Sequence, residues 1–187
     1  MGEETFKVDK LRTRLEGNLA SPNRWKIELP TLQGKQKMNG EAVGRYRTED
    51  LETLCTNARI PGKQITTIDR SIGLVKQSPA VGFESGQAAF TWYLDQQYSL
   101  RQWAQDWLDC VVSPEPPYEV GFLEKYQADI TVIQCDRMGN PIYKTKLINC
   151  FPLNVAEIEL NNAAQTTAME MTMTVAYKIY ESESLRV

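Results

Sequence analysis

From Ala168 to Tyr180 apolar and polar positions alternate without interruption. Met169, Met171, Met173, Val175, Tyr177 and Ile179 fall on one parity; Glu170, Thr172, Thr174, Ala176, Lys178 and Tyr180 fall on the other. A period of two predicts a half-buried strand with the methionine side inward. Thirteen residues at about 3.3 Å each would span roughly 43 Å, whereas strands commonly run about 5–6 residues. A strand of that length needs equally long partners, and at a sheet edge it invites pairing with another chain. Its second face is small, polar and uncharged at the centre, which suits a surface facing water.

The same reading divides the rest of the chain. Residues 1–22 are polar apart from Phe6, Val8, Leu11 and Leu15 and read as a short helix or an arm. Arg24 to Leu29 alternates Trp25, Ile27 and Leu29 with charged residues, a strand closed by Pro30. Gln33 to Asp50 carries Gly34, Asn39-Gly40 and Gly44 among charges and reads as a long exposed loop or hairpin tip. Leu51 to Ile60 resumes strand character, as does Ala88 to Leu94. Ala128 to Cys135 and Ile142 to Cys150 flank Gly139-Asn140, a turn tolerant of positive φ, and form a hairpin.

One helix stands out. Ser99 is placed as an N-cap, with Gln102 completing a capping box. Leu100, Trp103, Ala104, Trp107, Leu108, Val111 and Val112 repeat at helical spacing, with Arg101, Gln105, Asp106 and Asp109 opposite. Ser113-Pro114 and Pro116-Pro117 end it.

The segment 62–87 conflicts with itself. Gly73, Pro79, Gly82 and Gly86 argue against regular structure, yet Ile65, Ile72, Leu74, Val75 and Phe83 are too apolar for a solvated loop. Either it forms irregular strands or those residues pack against another subunit. We read it as an assembly loop, with these five residues at a subunit or ring interface.

Composition narrows the function. The chain has 187 residues and no histidine, which removes the usual general base, the commonest zinc ligand and every Ser-His or Cys-His pair. The length suits one domain, 1–187. Cys55, Cys110, Cys135 and Cys150 have no CxxC spacing and read as buried thiols. A formal charge of −3 gives no overall basic footprint for reading nucleic acid. The clusters Lys10/Arg12/Arg14 and Lys35/Lys37/Arg45/Arg47 read as solvated surface. An acidic start and the lack of an apolar run exclude a signal peptide or membrane helix and place folding in a cytoplasm.

Candidate chemistry reduces to a few groups. The methionine stripe could hold a soft metal, but nothing joins it, and core filling is the better reading. Trp103 and Trp107 could stack on bases, yet their register with Leu100 makes them core. Glu157 and Glu159 could be a glycosidase-like carboxylate pair; charges at a surface or interface fit them better. No catalytic, cofactor or metal residue is assigned. A monomeric ligand-binding β-barrel and a carboxylate hydrolase are the competing classes.

The order of signals from about Arg24 to Glu181 resembles the tail tube proteins of contractile-tailed bacteriophages. Four segments carry the resemblance: Ala58-Arg59-Ile60-Pro61-Gly62 ending a strand, the strand Phe90 to Asp95, the helix with Arg101, Trp103 and Trp107, and Asn149-Cys150-Phe151-Pro152-Leu153-Asn154-Val155 leading through Glu157-Ile158-Glu159-Leu160 into the final strand. The resemblance implies a mostly β subunit, a sandwich or partly open barrel with one packed helix. Its long strands would join a multi-subunit barrel lining a lumen. It further implies homohexameric rings stacked into a tube, with tail sheath, baseplate and tail-terminator proteins as partners. DNA would pass without specific binding. Such a protein is no enzyme, takes no cofactor, meets no membrane, and belongs to the virion tail after assembly in the host cytoplasm. Baseplate and secretion-system tubes share the fold. From the residues alone the Thr172/Thr174 face is an ordinary solvent face; the resemblance makes Glu170, Thr172 and Thr174 lumen-facing, with Lys178 near a rim.

Overall fold

The structure is a computed structural model that describes residues 21–72, 75–84, 86–158, 160 and 168–185. The helix or arm expected in 1–22 and the Lys10/Arg12/Arg14 cluster therefore lie almost wholly outside the described residues. In chain order the elements are β1 (Trp25–Glu28), α1 (Thr48–Thr53), β2 (Cys55–Ala58), β3 (Gln64–Thr67), β4 (Arg70–Ile72), β5 (Val75–Gln77), β6 (Ala80–Glu84), β7 (Gln87–Tyr93), α2 (Ser99–Val111), α3 (Leu123–Tyr126), β8 (Ala128–Cys135), β9 (Pro141–Val155), β10 (Glu170–Ala176) and β11 (Ile179–Ser184). The protein is mostly β, with an antiparallel sheet that stays open.

The long partner that the final strand requires is β9, which has 15 residues. β10 and β11 lie end to end along one edge of β9, from Met173 opposite Val155 to Ser184 opposite Tyr143. The sheet order is β1-β8-β9-β10-β7-β2, with β11 also on β9. β10 is thus an internal strand, and only β11 continues along an edge.

Two residues interrupt the final strand and overturn part of its predicted pattern. At Tyr177 and Lys178 the ladder breaks, opposite Asn149 at φ 55°; Lys178 N–H donates to the Ile148 carbonyl at 3.1 Å. The register is the same on both sides of the break, Ala176 opposite Phe151 and Ile179 opposite Ile148, so nothing is inserted in the final strand. The extra residue is on β9, between Ala128 opposite Cys150 and Ile130 opposite Leu147 of its ladder with β8. It bends β9 and changes its facing, which the final strand follows. Tyr177 stays buried, but Tyr180 then packs against the core and Ile179 turns outward, the reverse of strict alternation. The Tyr177 and Tyr180 rings meet edge to face at 6.1 Å.

Inside the bend sits one core. Ile27, Ile130, Val132 and Leu147 come from one half of the sheet; Phe90, Trp92, Met171, Met173 and Val175 come from the other. α2 fills the space between with Leu100, Trp103, Ala104 and Trp107. Each large side chain so buried contributes about 1.5–3 kcal/mol. Trp107 also donates its indole N–H to the Tyr126 carbonyl at 2.8 Å, fixing α3 beneath the helix end. Met171, Met173 and both helix tryptophans are core, as their spacing indicates, while Met169, just before β10, is only half-buried.

The start of α2 differs from the expected capping box. Tyr98, in the left-handed region at φ 55°, is the N-cap residue. Asp95 takes over the capping: its carboxylate accepts from Ser99 N–H at 2.9 Å and from the Ser99 hydroxyl at 2.8 Å. At the other end Val112 leaves the helix and is exposed.

Residues 33–50 are not a free loop. Lys35 donates to the Lys125 and Gln127 carbonyls at 2.9 and 2.8 Å, and Lys37 Nζ lies 2.6 Å from Asp106 Oδ1. Asp106, expected on the solvent side of α2, is buried beneath this segment. The first residues of the strand expected over Leu51 to Ile60 belong instead to α1, whose Leu51 is buried. All four cysteines are free; Cys110 and Cys150 are buried, while Cys55 and Cys135 are half-buried.

Candidate functional site

Two surfaces stand apart from the core. The first is the outward face of β9, β10, β7 and β2. Thr172 and Thr91 pair across strands with their hydroxyls 3.1 Å apart. Thr174 faces Ala89 on one side and Asn154 on the other, and Asn57 pairs with Thr91. These six side chains are small and uncharged; Arg59, whose N–H donates to the Ala89 carbonyl at 3.4 Å, is exposed at their margin beyond Asn57. Thr172 and Thr174 are half-buried by their neighbours, and Glu170 lies exposed at the end of the row opposite Tyr93. The three residues singled out from the sequence therefore do share one face of one strand. Thr91, Ala89, Asn57 and Asn154 complete it; finding them needs strand register, which a single sequence does not give.

The second surface is segment 62–87. It forms two successive antiparallel ladders, β3 with β6 and β4 with β5, so its glycines and Pro79 do not preclude regular structure. Gly82 stands beside a register shift in the first ladder and Gly86 at the root, while Gly73 lies outside the described residues. Pro79 accepts from Ile68 N–H at 3.1 Å between the ladders, and Ser78 donates to Asp69 at 2.6 Å. A Cβ at Gly86 would collide with the Tyr177 hydroxyl, so glycine lets the root of the hairpin press against the sheet. Ile65 and Phe83 lie directly opposite each other on the hairpin, 59% and 52% exposed, and Val81 and Ile68 are exposed too. Lys63 Nζ stands 5.2 Å from the centre of the Phe83 ring. Ile72 and Val75 are paired in the distal ladder; Leu74 lies outside the described residues. A two-stranded ribbon with such exposure has little of its own to hold it.

The residues weighed for chemistry stay apart. Burial pushes the thiols of Cys55 and Cys150 up to about 12, so both remain protonated and poor nucleophiles at neutral pH. Glu157 is exposed, and Glu159 lies outside the described residues. Among the described residues no three Cys, Asp or Glu groups are placed to hold a metal. A groove of about 480 Å³ runs beside α1, lined by Arg45, Arg47, Asp50 and Asp95 among others; a small-molecule pocket is more apolar than this.

Comparison with known proteins places this architecture. The sequence model of the family described as "Phage tail tube protein" matches residues 20–183. The fold is similar to a chain of the sheath–tube complex of an extracellular contractile injection system, PVC, in its extended state. The TM-score is 0.61 at 11% identity, covering 94% of this chain and 97% of that one. It is also similar to a chain of that system's sheath/tube terminator (TM-score 0.62, 11% identity, covering 89% and 97%). A third likeness is to the tube-terminating cap of the anti-feeding prophage (0.61, 11%, covering 89% and 91%). No curated protein matches the sequence.

Proposed function

The chain belongs to the phage tail tube protein family, and from that premise we propose that it assembles into stacked hexameric rings whose lumen passes DNA. Its role is that of a structural protein of the virion tail. The observation carrying the finer reading is the small, uncharged row of Thr172, Thr174, Thr91 and Asn154, with Arg59 and Glu170 only at its margins. Neutral, small side chains offer phosphates no cation to bind, whereas a lysine-lined wall would hold them. We assign Glu170, Thr172 and Thr174 to the lumen. Sheath, baseplate and tail-terminator proteins are the partners this reading supplies.

The hairpin is the proposed assembly element, with Ile65, Ile72, Leu74, Val75 and Phe83 covered by a neighbour. Exposed apolar side chains on a ribbon conflict with a solitary monomer and agree with an assembly. Electron microscopy of the purified protein tests the function: rings or tubes should appear as concentration rises, without a cofactor. A sharp monomer at every concentration, with bare grids, would overturn the reading.

Limited proteolysis tests the hairpin. Trypsin should cut at Lys63, Arg70 or Lys76 in monomers, because a ribbon with little core opens readily, and these cuts should vanish in tubes. Equal rates in both forms would remove the hairpin from the interface.

A further inference from the structure

We propose that the hairpin of one subunit docks on an apolar knuckle, Val112 to Leu123, of the next subunit in the same ring. This rests on the tube reading and names the acceptor surface within it. Tyr118, Val120 and Phe122 are 62%, 67% and 77% exposed, and Leu123 is exposed beside them.

The knuckle is held firmly. Val112 and Val120 form a bridge that closes its base. Ser113 N–H donates to the Glu119 carbonyl at 2.9 Å, and Gly121 N–H to the Val111 carbonyl at 2.8 Å. A Cβ at Gly121 would press on the Cys110 carbonyl and the Met38 sulfur, both 3.0 Å away. A backbone held in this way has little further freedom to lose when a partner covers the side chains it presents.

Charge selects the occupant. Glu115, Glu119 and Glu124 surround the knuckle against Lys125, whose ammonium lies over Phe122. From Lys63 to Gln77 the hairpin carries Lys63, Arg70 and Lys76 against Asp69, with Glu84 only at its base. A contact of like with like would set acid on acid, or base on base. A hairpin-to-knuckle contact pairs opposite charges around two apolar centres. It is heterologous, so it propagates from subunit to subunit, the type of contact from which a closed ring is built.

Geometry places both surfaces at one end of the subunit. α2 starts beside Asp95, past the end of β7, and returns along the sheet. Its last turns reach Tyr126 through Trp107, and Tyr126 packs edge to face on Phe151 at 5.5 Å. Phe151 pairs with Ala176, and Ala176 with Gln87, the first residue after the hairpin root. The knuckle and the root of the hairpin therefore lie at the same end of the subunit, where a neighbour in one ring can meet them.

Two experiments test this on the full chain. Lys63→Glu/Arg70→Glu/Lys76→Glu and Glu115→Lys/Glu119→Lys/Glu124→Lys should each raise the concentration for half-assembly by about tenfold or more, while all six together should return it to within about threefold. Separately, a Val81→Cys chain mixed with a Val120→Cys chain should form disulfide-linked dimers well above the background that native Cys55 and Cys135 give either chain alone. If the unmodified protein assembles but the six-fold variant shows no recovery and the mixture no extra dimer, this contact is wrong and the tube reading stands. If the unmodified protein never assembles, both fall.

Discussion

Met171→Asp and Val175→Asp should each abolish the folded subunit, while Thr172→Lys and Thr174→Lys on the same strand should leave it folded. Met171 and Val175 are 1% and 0% exposed, surrounded by the core that Phe90, Trp92 and Trp103 build. An aspartate there loses the apolar burial, about 1.5–3 kcal/mol, and adds several kcal/mol for an unpaired buried charge. The sum is comparable with the roughly 5–15 kcal/mol that holds a domain together. The threonines point the other way, where a lysine can carry its ammonium into water, so their cost should stay near 1 kcal/mol. Circular dichroism melts would show no cooperative transition for the aspartates and a shift of a few degrees for the lysines. Tubes built from the lysine variants should retain DNA at low salt and release it at high salt, because each subunit adds a cation to the proposed wall. Equal destabilisation by both pairs would mean that the two faces are assigned wrongly.

That experiment rests on the part of the fold most legible in the sequence. Alternation in β10, the helical spacing of Leu100, Trp103, Ala104 and Trp107, and the turn at Gly139-Asn140 are local signals, and each element forms where its pattern lies. The length of the final strand implies the long β9 partner. What local pattern cannot give is the break at Tyr177-Lys178. The break lies opposite Asn149, where β9 carries an extra residue against β8, and a change of facing set on a neighbouring strand leaves no mark on the final strand itself. Glu170, Thr172 and Thr174 keep one common face because they precede the break; Ile179 and Tyr180 lie beyond it and exchange places.

The hairpin shows a different limit. Its glycines and Pro79 are breakers by composition, yet two short ladders tolerate breakers placed between them and at the root. Exposure of Ile65 and Phe83 on a regular ribbon keeps the conflict that the sequence poses and locates it on a surface. The knuckle at Tyr118 to Leu123 has no such local signal, because its prolines mark only the end of a helix. Polar residues at 33–50 mislead for a related reason: charge suggests solvent, but the acid that receives Lys37 sits 69 residues away in the chain.

That acid gives the second large effect. Asp106→Ala should lower the melting temperature by about 5–15 °C, equivalent to about 2–4 kcal/mol for a chain of this size. Asp106 accepts from the Tyr46 hydroxyl at 2.7 Å and from Gly44 N–H at 3.1 Å, and holds Lys37 at 2.6 Å. Truncation strands all three donors at once, and a donor left buried costs more than the bond contributed. Asp106→Asn keeps the shape but loses the charge, and should cost about half as much. The pH dependence comes from the same contacts. Burial opposes ionisation of the carboxyl, but Lys37, Tyr46 and Gly44 together outweigh it and hold its pKa below the usual carboxylate value. A depressed acid stabilises fully above its unfolded pKa, about 4, and the gain disappears as pH falls through the folded value. The gap in melting temperature between the unmodified protein and Asp106→Asn should hold from pH 7 to about pH 4 and close below it. The hydrogen bond to Asp106 raises the pKa of Lys37, so its share persists up to the ordinary lysine value, about 10.4, and fades only as pH climbs past it. If Asp106→Asn melts with the unmodified protein at neutral pH, the segment is held by its buried apolar residues, Leu32 and Val43, and the charged contacts merely decorate it.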